Sequence, residues 1–232
     1  MNEEEIIKEA EEIEKEIERE EFEREGIEQR NERGPLLWIL ALFLGLIVIL
    51  MVIPHYAVRL DPVPKNIPEI DDVIPTNFEI EESSVSRRED YGKLVKPYDP
   101  VIKQTADRII SKSCKKTNSR ICYAKAIFYF VRDKFDYAND PLAYEYVKSA
   151  RESLITQIGD CDDASVLAAN LLQAIGISTR FVFIPRHVFI QIRLPEAMDK
   201  YKQEDGWINL DLTCKSCEFG EIPRENWKYF ED

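Results

Sequence analysis

The chain has 232 residues, a formal net charge of −13, two histidines and five cysteines. That length holds one catalytic domain with a real core plus additional segments. The acidity is local: residues 1–33 carry 15 Glu against 6 Lys and Arg, so it describes an N-terminal arm rather than a substrate preference, and no basic footprint points to nucleic acid.

Residues 1–34 make up that arm. Ile6, Ala10, Ile13 and Ile17 recur at steps of four, three and four, an a/d seam on a helix. The seam stops within two heptads, at Glu20 and Arg24. The arm therefore reads as a solvated charged helix, with weak coiled-coil self-association through residues 3–20 as the alternative.

Gly34-Pro35 breaks the helix, and Leu36 to Ile53 then runs without a charge. At ~1.5 Å per residue this run covers most of a ~30 Å hydrocarbon layer. Trp38 and Tyr56 lie near its two ends, as interfacial aromatics do. The run is too long and too far from Met1 for a secretory signal, its leading flank is acidic, and no small-x-small cleavage site follows. Residues 35–55 are thus expected to be one transmembrane helix in a lipid bilayer. Arg24, Arg30 and Arg33 precede the span and Arg59 and Lys65 follow it, which leans the N-terminus toward the cytoplasm and the larger C-terminal part outside.

Pro54, Pro62, Pro64, Pro68, Pro75 and Pro97 punctuate the next stretch. Residues 56–97 read as an extended stalk, parts of which, such as Asn77-Phe78-Glu79-Ile80, lie against the domain that follows. The domain itself is expected over residues 98–232. Asp99-Pro100 is a helix entry, with the aspartate as N-cap and the proline in the first turn. Ile121, Ala124, Ile127, Phe128 and Val131 give a second amphipathic helix, widened by Tyr129 and Phe130 into a core helix. Residues 140–157 are helix or loop. A third helix runs from about Cys161 to Ala174 and stops at Gly176. The period then falls to two: residues 179–185, 187–193 and 207–210 read as strands, the first two antiparallel across Pro185-Arg186. Helices followed by strands predict an α+β fold with helices packed on an antiparallel sheet.

The chemistry gathers at Gly159-Asp160-Cys161-Asp162-Asp163. The stretch ends a polar run and opens the apolar helix, so the cysteine sits where unpaired N–H groups and the helix dipole favour a thiolate. His187 begins a strand 26 residues later, and Asp211 ends another 24 residues after that. A helix running away, a strand returning and a neighbouring strand bring all three to one edge. Thiol, base and base-orienting acid are the set that nucleophilic cysteine catalysis requires. His55 sits at the membrane boundary, which leaves His187 as the domain's only histidine. Asp162 and Asp163 suit a helix start but oppose a nearby thiolate; Asp163 reads as structural and Asp162 as plain helix-start solvation. The backbone N–H of Cys161 is the first candidate to stabilise an oxyanion, with Gln157 or Tyr137 as the side-chain donor.

Gly159-Asp160-Cys161-Asp162-Asp163 with Ala164 and Leu167, then Gly176-Ile177-x-x-Arg180, His187 opening an aromatic-containing strand, and Trp207 with Asp211-x-Thr213 together resemble the core of the transglutaminase-like superfamily. The likeness covers roughly residues 120–215. It implies a papain/transglutaminase-like core in which Cys161 is the nucleophile, His187 the base and Asp211 the orienting acid. It further implies attack on amide bonds of a protein or peptide substrate through a thioester, without a cofactor. The outcome would be transfer to an amine, hydrolysis, or peptidase or amidase action. The sequence departs from the family pattern at Val188-Phe189 after the histidine and at Leu212 after the aspartate, neither of which touches the triad. A non-catalytic membrane scaffold is the remaining alternative.

Cys161 is the odd cysteine of five. Outside the cytoplasm Cys114, Cys122, Cys214 and Cys217 would form two disulfides, either Cys114 with Cys122 and Cys214 with Cys217 or cross pairs. The same four could instead hold a structural zinc, but seven residues between Cys114 and Cys122 are long for a zinc knuckle, and disulfides are favoured.

Overall fold

The computed structural model describes residues 12–24, 35–76, 78–80, 85, 87–115, 118–140 and 146–229, in two units that divide between Tyr56 and Ala57. In the first unit residues 12–24 are helical and exposed (α1). Ile6 and Ala10 of the expected seam lie outside the described residues. Helix α2 (Pro35–Leu60) contains, over Pro35–Val52, a stretch long and apolar enough to cross a membrane, none of it buried in protein.

Capping decides where the domain begins. The Asp99 carboxylate accepts from the N–H groups of Val101 (2.8 Å) and Ile102 (3.3 Å), and α3 (Pro100–Ser113) follows from it. Helix α4 (Arg120–Lys134) comes next, buried along most of its length as its wide apolar face predicts. Between α4 and the cysteine helix lies a short helix, α5 (Ala150–Thr156). Its N-cap Ser149 accepts from the Glu152 N–H, the S-x-x-E arrangement of a capping box, and this is the signal that resolves the ambiguous stretch before Cys161. Two short strands, β1 (Asp136–Tyr137) and β2 (Ile158–Gly159), pair in parallel and set Tyr137 beside Gly159.

Helix α6 (Cys161–Ala174) is the centre of the domain. Every residue from Asp162 to Leu172 is buried, because the helix packs against α3, α4 and α5 on one side and the sheet on the other. It ends where Gly176 takes a positive φ of 78°. The sheet is antiparallel in the order β3 (Ser178–Ile184), β4 (His187–Arg193), β5 (Trp207–Leu210). Strands β3 and β4 join through Pro185-Arg186, with Arg186 at positive φ. Ile190 and Ile192 point into the main core with α6, while Phe189 packs the opposite face with Ile184 and Ile222. On that second face Arg180, Gln191 and Asn209 form a hydrogen-bonded row across the three strands. The α+β architecture is the one expected.

A free stalk would leave the proline-rich segment in water, but much of it is packed. Ile70 and Val73 belong to the main core, and Tyr91 and Leu94 to a second cluster with Val166 and Val188. Arg108 donates to the Val73 and Ile74 carbonyls, and Asn170 of α6 donates to the Leu94 carbonyl while accepting from the Lys96 N–H. The sequence hides this because single apolar residues between prolines have no period. Val73 is fully buried, so Val73→Ala is expected to lower the unfolding free energy by about 1–3 kcal/mol in denaturant titration, whereas a solvated stalk residue would change it by less than about 0.5 kcal/mol.

Candidate active site

The site is built on the first turn of α6. Asp160 is its N-cap and accepts from the Asp162 N–H (3.3 Å). Cys161 is the first helical residue and is only partly buried. Ser165, one turn on, lies with its Oγ 2.6 Å from the Cys161 carbonyl oxygen and 3.3 Å from that of Val188, so one hydroxyl bridges the cysteine turn to the strand that carries His187.

The antiparallel register fixes the other two residues. Ile190 pairs with Leu210, so Asp211, one residue past β5, falls on the same face of the sheet as His187. His187 Nε2 and Asp211 Oδ2 lie 2.8 Å apart. Asp211 is almost completely buried, and its Oδ1 accepts from Thr213 N–H (3.1 Å), Thr213 Oγ1 (2.9 Å) and Cys214 N–H (3.2 Å). Three donors on one oxygen leave the other aimed at the imidazole. Burial works against the Asp211 charge, but the His187 and Thr213 bonds outweigh it and hold its pKa below the usual value. Burial likewise disfavours charge on His187, yet the bonds to Asp211 and Cys161 push its pKa up to about 10. Of the three expected residues the structure joins His187 to Asp211 directly, with Cys161 near enough to act on the His187 ring.

Asp163 is structural, as its place at the helix start suggests, whereas Asp162 is not the solvated acid expected there. Asp163 is wholly buried and bonds both the backbone N–H and the ammonium of Lys148. A Cβ at Gly159 would stand 2.2 Å from the Asp163 carboxylate, which is why a glycine precedes the cysteine by two. Burial and a hydrogen bond with Asp160 push the Asp162 carboxyl up to about 8, with the Tyr91 hydroxyl (3.0 Å) opposing them. Plain solvation does not describe this residue, which is buried. The carboxylates of Asp160, Asp162 and Asp163 lie within 4.8 Å of one another. Their partners are protein groups, and a cation there would have to displace the Lys148 ammonium.

Of the two expected oxyanion donors, Gln157 turns away and donates to Asp71 (2.8 Å). Tyr137 is near Cys161: burial raises its pKa, and Cys161, Asp160 and Asp162 raise it further. Its hydroxyl bonds Asn139 Oδ1 (2.8 Å). The remaining cysteines are paired as Cys114–Cys122 and Cys214–Cys217, with Cα separations of 6.1 and 5.3 Å, so their sulfurs are in disulfides and Cys161 is the free thiol.

Residues 103–212 match the family model for the transglutaminase-like superfamily. The match begins within α3 and takes in Cys161, His187 and Asp211. No curated protein and no solved structure matches the chain.

The His187–Asp211 pair has a defined pH signature. His187 rises from 6.5 to about 10 in the fold, so its contribution is complete below about 6.5 and is lost as pH climbs through about 10. Asp211 is depressed from 3.8, so its contribution is present above that value and is lost as pH falls. Asp211→Asn is expected to cost about 3 kcal/mol of unfolding free energy between roughly pH 4 and 6.5. The gap between variant and wild type should shrink steadily toward pH 10; a gap independent of pH would show that the pair is not ionic.

Proposed function

Since the chain carries a transglutaminase-like domain over residues 103–212, we propose that it is a membrane-anchored cysteine enzyme acting on amide bonds of proteins or peptides. The family supports a cysteine-dependent enzyme of the acyltransferase or protease kind. The observation that carries the finer reading is the hydrogen-bond succession through His187 to buried Asp211, with Cys161 as the ring's other partner.

The chemistry follows from those groups. The Cys161 sulfur attacks the amide carbonyl carbon, and the carbonyl π pair moves onto oxygen. The Cys161 backbone N–H, which has no intrahelical acceptor at the first position of the helix, is the donor for that oxyanion, and the Tyr137 hydroxyl could join it only by giving up its bond to Asn139. The C–N bond then breaks, and the imidazolium of His187 gives its Nδ1 proton to the departing nitrogen, leaving a thioester on Cys161. Neutral His187 next takes a proton from water or an acceptor amine as it attacks the thioester, and the thiolate leaves. Asp211 holds the ring orientation throughout and favours its cationic form. Hydrolysis of a side-chain amide differs from amine transfer only in the nucleophile of the second step, whereas peptide cleavage differs also in the first, where a backbone amide is attacked and a peptide amine leaves in place of ammonia.

The apolar helix over Pro35–Val52 supports anchoring in a bilayer. Two disulfides fit a domain outside the cytoplasm, as does the lean of three basic residues before the span against two after it.

One preparation tests both parts. Carbonate-washed membranes carrying the full chain are given a glutamine peptide and a labelled amine. Amine incorporation, ammonia release or peptide cleavage should stay with the membrane pellet and fall by at least about 10³-fold in Cys161→Ala and in His187→Ala. Activity that washes into the supernatant would refute anchoring. Activity that persists in Cys161→Ala would refute the nucleophile.

A further inference from the structure

The residues that steady the cysteine turn are not confined to the matched core. Upstream of it, a 3₁₀ turn over Arg88–Leu94 lies against α6. Tyr91 in that turn is 2% exposed, and its hydroxyl donates to Asp162 Oδ2 (3.0 Å), 71 residues away and next to the cysteine in sequence. Its ring meets Phe181 (5.8 Å between centroids) and Phe183 (5.4 Å) of β3 edge-on. Two turns along α6, Asn170 bonds the Leu94 carbonyl and the Lys96 N–H. The cluster around Tyr91 includes Val188, the neighbour of His187, and Cys161 itself packs against it.

We propose that Tyr91 is a positioning residue for the nucleophile, holding the first turn of α6, and so the Cys161 sulfur at His187, through the carboxyl of Asp162. The inference rests on the reading of Cys161 as nucleophile. Its physical sense lies in what a clamp at this turn must avoid. An ionised group next to the sulfur would repel a thiolate, and burial and the neighbouring Asp160 push the Asp162 carboxyl up to about 8, toward its uncharged form. The Tyr91 hydroxyl is itself uncharged, so its grip on the turn adds no charge beside the sulfur. The grip comes from a segment continuous with the end of α2, outside the residues that match the family.

The test uses the full chain in detergent under non-reducing conditions, where the four paired cysteines leave Cys161 as the thiol that iodoacetamide labels. Tyr91→Phe keeps the ring contacts and removes only the hydroxyl. It is expected to slow Cys161 alkylation at neutral pH by about tenfold, the worth of one hydrogen bond to an acidic partner. The ring titration of His187, followed by NMR of labelled histidine in a chain with only one other histidine, should move down as the sulfur leaves it, while the bond to Asp211 keeps it raised. Asp162→Ala, which removes the acceptor of both Tyr91 and the Asp163 N–H (2.7 Å), should slow labelling at least as much, and adding Tyr91→Phe to it should cost nothing further. A Tyr91→Phe chain that matches wild type in both readouts, or losses that multiply in the double variant, would overturn the positioning role alone. A wild-type Cys161 that reacts no faster than a model thiol, and that is indifferent to His187→Ala, would instead sink the nucleophile reading and this inference with it.

Discussion

Three aspartates crowd one cysteine at the start of α6, and the site depends on what becomes of their charge. Left ionised and unpaired in a buried turn, they would oppose a thiolate and destabilise the fold. The protein treats each one differently. Asp160 caps the helix, the pKa of Asp162 is pushed up by burial and by Asp160, and Asp163 is tied to Lys148 against the bare backbone of Gly159. The remaining strong pair at the site is then His187 with Asp211. The Asp211 carboxylate is fixed from behind by Thr213 and by the backbone of Cys214, whose disulfide partner is three residues on.

The same logic orders the domain around α6. A helix buried on all sides cannot float in its surroundings. It is fixed by the sheet, by three other helices and by the segment that precedes them. That segment is tied from its first residue: Asp61, directly after α2, accepts from Tyr201 (2.6 Å) and pairs with Lys125, whose ammonium is nearly buried. Burial alone would raise the Asp61 pKa, but the bonds to Lys125 and Tyr201 hold it below the usual carboxylate value. From there Ile70, Val73, Tyr91 and Leu94 carry the chain across the domain to Asp99.

How much of this the sequence discloses depends on the range of the interaction. Local signals were legible: the Asp99 cap, the change of period from helix to strand after Gly176, the free cysteine at a helix start, and the order of Cys161, His187 and Asp211. The short helix before the nucleophile announces itself only through Ser149 and Glu152, a two-residue signal in a stretch without strong periodicity. What stays hidden is what depends on residues far apart in the chain. Nothing around Tyr91 indicates that its hydroxyl will meet Asp162, and nothing around Val73 distinguishes a core valine from one in a linker. Asp163 was legible as a structural acid, but the burial of Asp162 was not, because only the folded protein brings Lys148 to one and Tyr91 to the other.

The central claim is that the Cys161 sulfur lies against a cationic imidazole. The most direct measurement compares how fast Cys161 reacts, near neutral pH, with iodoacetate and with iodoacetamide. The two reagents share one alkylating carbon and differ in charge, so their ratio reads the local field at the sulfur. The account predicts that the anionic reagent reacts at least as fast as the neutral one, and that this preference disappears in His187→Ala. A preference for iodoacetamide in the wild-type protein, as an ordinary thiol among carboxylates would show, would contradict it.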